Sequence, residues 1–291
     1  MTDIYHNSQE TEDTVENRFQ TPAVLRFAMR SFSMLAPPLA VKLATYLFCH
    51  PSRGQIKPDE VDILAEAEAF EVSIAGLKLS AWSWGEGPVV LLQHGWSSRG
   101  SRLTAFVPPL IETGFSVVAW DAPAHGDSEG RTTTGVYISR SLRELATMLG
   151  GVHSIIAHSM GCWAAALGLK EDLRVEKLVF ISPPSDLSLF SEIFTAQTGF
   201  TAKIQKKVEK RLVEETGVEW SETKAEELGA GQKTPLLIIH DTDDRVVSLN
   251  HAETLHEAWE GSRLVITTGL GHRMIVKTPS VVTQAVEFIT G

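Results

Sequence analysis

The chain has 291 residues, 43% of them hydrophobic, enough for one large α/β domain with a substantial core or for two modest ones. A formal charge of -10 without a basic cluster argues against nucleic acid and other polyanionic partners, whose binding needs grouped Lys and Arg, and leaves small or neutral substrates. Cys49 and Cys162 form neither a disulfide framework nor a metal knuckle, so the chain fits a reducing cytoplasm with no bound metal.

Residues 1–22 are polar and acidic, without the basic and apolar regions of a secretory signal, and are expected to form a flexible leader. An N-terminal helical segment, 23–70, follows. Its apolar stretch, 23–51, is interrupted by Arg26, Arg30, Pro37, Pro38 and Lys42, short of the roughly 18 uninterrupted apolar residues of a spanning helix. It reads as two short amphipathic helices broken at Pro37 and Pro38. Packing on the domain or on a second subunit, as in a homo-oligomer, is the favoured reading, and a membrane-surface contact by residues 23–51 is the alternative.

From Glu71 the sequence EVSIAGLKLSAWSW alternates polar and apolar residues around Ala75 and Gly76, the pattern of an antiparallel hairpin. Six short apolar runs follow at 89–93, 116–120, 154–157, 177–182, 236–240 and 263–268, each suited to a strand buried on both faces. Helical periodicity between most of them predicts an α/β fold: a mostly parallel eight-stranded sheet with helices on both faces. Thr278 and Pro279 mark the start of the last helix as N-cap and first helical residue. The core would then comprise 71–183 and 234–291. The interval 184–233 is far longer than an ordinary connection and is expected to form a small helical cap over the carboxyl ends of the strands.

The most informative pentapeptide is Ala157-His158-Ser159-Met160-Gly161, which joins a predicted strand to a predicted helix. A sharp turn there would hold Ser159 as an exposed nucleophile and would require small residues two before and two after it. A serine hydroxyl needs a base, and the chain has ten histidines. His158 is adjacent but diverges from Ser159 at such a turn; it is expected to pack beneath it. His94 and His240 end buried strands and read as structural or pocket-lining. His272, in the glycine-flanked loop after the last strand, is the expected base. Of the acids after residues 236–240, Asp244 is favoured to orient that base, because Val246 and Val247 can anchor its loop. Asp241 reads as a turn former and Asp243 as solvated, while Asp186, after the preceding strand, is the rival acid. Backbone N–H groups of Trp96, after Gly95, and of Met160, at the start of the helix, are the expected oxyanion donors.

Serine, aspartate and histidine after successive strands is a chain order shared with one superfamily. From about Glu71 onward, HGW at 94–96, DAPAHGDS at 121–128, AHSMG at 157–161, HDTDDRVV at 240–247 and GLGH at 269–272 together resemble the α/β-hydrolase superfamily. The resemblance implies an esterase, a lipase or a related acyl hydrolase acting on a small-molecule ester, with a helical cap and without a metal or organic cofactor. Ala124, Ala157 and Asp241 stand where the superfamily usually has glycine. Within the enzymes, thioesterase, peptidase, carbon–carbon hydrolase and perhydrolase variants stay open; a ligand-binding protein without catalysis is the alternative of another class.

Overall fold

A computed structural model describes residues 21–291; all but the last two residues of the expected leader lie outside the described residues. The chain divides into two compact units, one formed by Cys49–Leu187 with Val218–Gly291 and the other by Ser188–Gly217 with the described residues up to Phe48.

The larger unit is built on an eight-stranded sheet. Its hairpin, β1 (Glu68–Ile74) and β2 (Leu77–Trp84), turns at Ala75 and Gly76, with φ of 50° and 78°, the left-handed pair that matches the twist of tight hairpins. Then come β3 (Val89–Gln93), β4 (Ser116–Trp120), β5 (Ser154–His158), β6 (Lys177–Ile181), β7 (Leu236–Asp241) and β8 (Arg263–Thr267). The order across the sheet is β1-β2-β4-β3-β5-β6-β7-β8, antiparallel at β1, β2 and β4 and parallel from β4 onward. All six predicted apolar runs are strands, with ends shifted by at most one residue. Every residue of β5 and β7 is buried, which is why their sequences show no polar alternation.

The helices of the smaller unit begin with α1 (Ala23–Leu35) and α2 (Pro37–Phe48); they part at Ala36, and Pro37 and Pro38, where the sequence predicts the break, open α2. They pack with two helices of the long interval, at 188–198 and 202–216. The larger unit holds α3 (Pro58–Ala65), α4 (Val107–Glu112), α5 (Gly135–Met148) and α6 (Met160–Glu171). After β6 come α7 (Ser188–Thr198) and α8 (Ala202–Thr216) in the smaller unit, then α9 (Ala225–Gly229), α10 (Leu249–Ala258), α11 (Gly271–Met274) and α12 (Pro279–Thr290) in the larger one. The division therefore cuts across the segments expected from sequence. Helix α3 joins the sheet unit because Trp84 Nε1 donates to Ile63 O at 2.8 Å and because Glu60, 1% exposed, is ion-paired to Arg102. Helix α9 joins it because Ala225 and Leu228 are buried and Gly229 lies so close to Ala258 that a Cβ would fall 2.4 Å from its carbonyl oxygen. Thr278 does begin α12, but its hydroxyl donates backward to Met274 O at 2.9 Å, so its side chain does not cap the helix.

Candidate active site

Strand β5 runs into a single residue of left-handed backbone, Ser159 at φ 53° and ψ -126°, and α6 begins at the next residue. A non-glycine residue held there costs on the order of 1–2 kcal/mol, sustained because both flanking elements are buried. Ser159 N still donates to Ile181 O at 2.9 Å, so sheet pairing continues up to the turn. The demand for small residues is visible. A Cβ on Gly161 would lie 2.6 Å from both Gln93 O and His94 O, and one on Gly95 would lie 3.0 Å from Ser159 Cβ. Ala157, fully buried, is accommodated where the superfamily usually has glycine.

Three sequence-predicted residues meet at this turn. Ser159 Oγ lies 3.1 Å from His272 Nε2, and His272 Nδ1 lies 2.7 Å from Asp244 Oδ2. The other oxygen of Asp244 accepts the N–H groups of Val246 and Val247, both at 2.9 Å. The apolar pair thus anchors the loop through its backbone. Burial alone would push the Asp244 carboxyl up; the hydrogen bond and charge of His272, with the two N–H groups, outweigh it and hold it at about 2. An ionised Asp244 fixes the proton of His272 on Nδ1 and leaves Nε2 as the acceptor for the Ser159 hydroxyl.

His272 stands on the short helix α11 and not in a loop as the sequence suggests, and the turn that leads from β8 into α11 is tied down by Asp241 and Asp243, whose sequence readings are a turn former and a solvated residue. Asp241 Oδ1 accepts from Gly271 N and Asp243 N, both at 3.0 Å, and its Oδ2 accepts from Thr267 Oγ1 at 2.7 Å. Asp243 Oδ2 accepts from Gly269 N at 2.9 Å. Asp243 is therefore a loop clamp as well as a solvent-facing residue, and Asp241 is fully buried. The signal in the sequence was the acid at the end of a buried strand where the superfamily usually has glycine. His158 Nε2 donates to the backbone oxygen of His272 at 2.9 Å, with the two rings 4.7 Å apart. No sequence pattern indicated that contact.

The predicted oxyanion donors flank the same turn. Met160 opens α6, where helix geometry leaves its N–H without an intrahelical acceptor. Trp96 follows Gly95 in a loop organised by two buried histidines. His94 Nδ1 donates to Gly95 O at 2.7 Å while its Nε2 accepts from Ala122 N at 2.9 Å. His125 accepts from Ser97 N at 3.1 Å through Nε2, and its ring stands edge-on to Trp96 at 5.3 Å. His240, also fully buried, donates to Val247 O at 2.8 Å and lies 3.6 Å from Asp244 Oδ2. Segment 121–128 is a structural turn: Asp121 accepts from Gly100 N and Asp127 N, both at 2.8 Å, and pairs with Arg99. Ala124 there has φ 66°, which explains the glycine usual at that position.

Burial holds the imidazoles neutral, at about 4 for His94 and about 3 for His125 and His158, against 6.5 for a free histidine. As pH falls below 6.5 the unfolded chain takes up protons that the folded one refuses, so stability is lost on acidification until the folded values are reached. Going from about pH 7 to about pH 5 should cost about 2 kcal/mol per such histidine and lower the melting temperature by on the order of 10 °C. Asp244 acts in a lower window: its contribution is present above 3.8 and is lost as pH falls through about 2. Thermal unfolding monitored by circular dichroism checks this, and equal melting temperatures at the two pH values would contradict neutral burial.

Residues 89–285 match the alpha/beta hydrolase family, and the chain belongs to it. Similar solved structures include an esterase of Pyrococcus furiosus, 23% identical, covering 83% of this chain and 96% of its own with a TM-score of 0.63. An esterase of Exiguobacterium antarcticum is 17% identical and covers 77% and 100%, with a TM-score of 0.61. A membrane phospholipase A described as a bacterial virulence factor is 19% identical and covers 92% and 96%, with a TM-score of 0.62. At these identities the likeness is one of fold. No curated protein matches the chain by sequence.

Proposed function

We propose that the protein is a serine hydrolase that cleaves a carboxylic ester or thioester of a small molecule through an acyl-enzyme. The observation that carries this reading is the unbroken hydrogen-bonded path from Asp244 through His272 to a serine on a strained strand-to-helix turn. Ser159 Oγ attacks the carbonyl carbon as His272 Nε2 takes its proton, and Asp244 stabilises the imidazolium so formed. Negative charge on the carbonyl oxygen is met by the N–H groups of Met160 and Trp96, each worth about 3 kcal/mol in the transition state. His272 then protonates the departing alcohol or thiol. Water, deprotonated by the same nitrogen, attacks the acyl-enzyme and releases the acid. A serine nucleophile is inconsistent with the aspartate-ester routes of dehalogenases and epoxide hydrolases, and carboxylesterase is the simplest member of what remains. Two of the similar structures are esterases, which supports that choice.

A serine-directed fluorophosphonate tests the reading. One adduct per chain, mapped by mass spectrometry to Ser159, is the expected result. A folded protein that takes up no adduct there would favour the ligand-binding alternative.

A further inference from the structure

Helix α1 is apolar on two opposite faces. One, through Met29 and Phe32 with buried Ser33, packs within its own unit against α2 and α7. At about 100° per residue, Val24, Phe27, Met34 and Leu35 form the other. These four are 81%, 72%, 65% and 86% exposed, and Leu39 at the start of α2 is 61% exposed. Among the described residues, eight of the fifteen large apolar side chains that face solvent fall between Val24 and Leu47. A water-facing helix ordinarily carries charge on that side, and single exposed apolar residues need no explanation; four large ones around the small, uncharged Ser31 do.

Charge identifies what the stripe meets. The chain has 36 Asp and Glu, yet none lies between Asn17 and Pro58. Arg26 and Arg30 stand one turn apart on the flank of the stripe and Lys42 on the exposed side of α2, so every formal charge on these two helices is positive. The net charge of the whole chain conceals this segregation. A two-fold contact between copies through this face would set these cations against each other with no acid among them. A bilayer with anionic headgroups offers both an apolar layer for Phe27 and Leu35 and phosphates within reach of the arginines, whose stems lie along the apolar surface. Among the described residues no helix is long and apolar enough to cross a membrane, and the 13 residues of α1 suit a helix lying in the interface plane.

We propose that α1 and α2 dock the protein onto the surface of an anionic lipid bilayer, with Val24, Phe27, Met34, Leu35 and Leu39 entering the headgroup boundary and Arg26, Arg30 and Lys42 pairing with lipid phosphate. This inference is independent of the chemistry at Ser159. The test is co-sedimentation of the full chain at low salt with vesicles of phosphatidylcholine alone and of phosphatidylcholine containing about one-third phosphatidylglycerol. Binding is expected to the second and not the first. Replacing both arginines (Arg26→Gln, Arg30→Gln) should weaken partitioning by about 30-fold, at about fivefold per cation. Phe27→Ser with Leu35→Ser should weaken it by about tenfold or more. These side chains are exposed, so both variants should keep the wild-type melting temperature, which separates lost docking from lost folding. Three results would overturn the proposal: no sedimentation of the wild type with anionic vesicles, sedimentation of the variants equal to that of the wild type, or a dimer in analytical ultracentrifugation that Phe27→Ser with Leu35→Ser dissolves.

Discussion

Ser159→Ala is expected to lower kcat for ester substrates by on the order of 10⁴- to 10⁶-fold while circular dichroism and melting temperature change little. The fold should tolerate the change because what the turn demands of Ser159 is conformational, φ of 53° between a fully buried strand and a buried helix, and alanine meets that demand about as well as serine. The substitution removes only the hydroxyl that faces His272 Nε2 at 3.1 Å. A residual rate well above that in water should persist, since the backbone N–H groups proposed as oxyanion donors are untouched. Steady-state kinetics on a panel of esters and thioesters of graded chain length gives the measurement, and a variant retaining a tenth or more of the wild-type rate would remove Ser159 from the chemistry.

Asp244→Asn is expected to cost about 10⁴-fold in kcat, and Asp186→Asn no more than about threefold. The asymmetry follows from position. Asp244 is buried, bonds His272 Nδ1 at 2.7 Å and is held ionised, at about 2. An asparagine can still accept from Val246 N and Val247 N through its one oxygen, so the loop should persist. What it presents to His272 is an amide N–H or a neutral oxygen in place of a carboxylate, which removes the stabilisation of the imidazolium and favours the wrong tautomer. A larger loss at Asp186 than at Asp244 would move the orienting acid to the end of β6.

The comparison of the two acids shows what could be read in advance. The preference for Asp244 rested on Val246 and Val247, and those residues do hold the loop, though through backbone N–H groups rather than by apolar packing alone. The clamping roles of Asp241 and Asp243 are silent in the sequence for a shared reason. Apart from Asp243 N, their partners are the Thr267 hydroxyl and the backbone N–H groups of Gly269 and Gly271, 26 to 30 positions away, and pairing over that distance leaves no local mark in a sequence. The carbonyl contact of His158 spans 114 positions and was equally invisible.

What the sequence determined by itself was whatever depends on local pattern. Buried strands write themselves as short Val- and Ile-rich runs, the hairpin as alternation around Ala75-Gly76, and the tight turn at Ser159 as small residues on either side. Chain order was enough to nominate Ser159, Asp244 and His272. The tertiary structure decided three things that depend on distant pairing. It set β2 beside β4 rather than β3, assigned α3 and α9 to the sheet unit through buried contacts, and turned one apolar face of α1 to solvent. The sequence leaves the last open between packing and a surface contact, because an apolar residue reads the same whether it is bound for a core or for a surface. Only the positions of its neighbours tell the two apart.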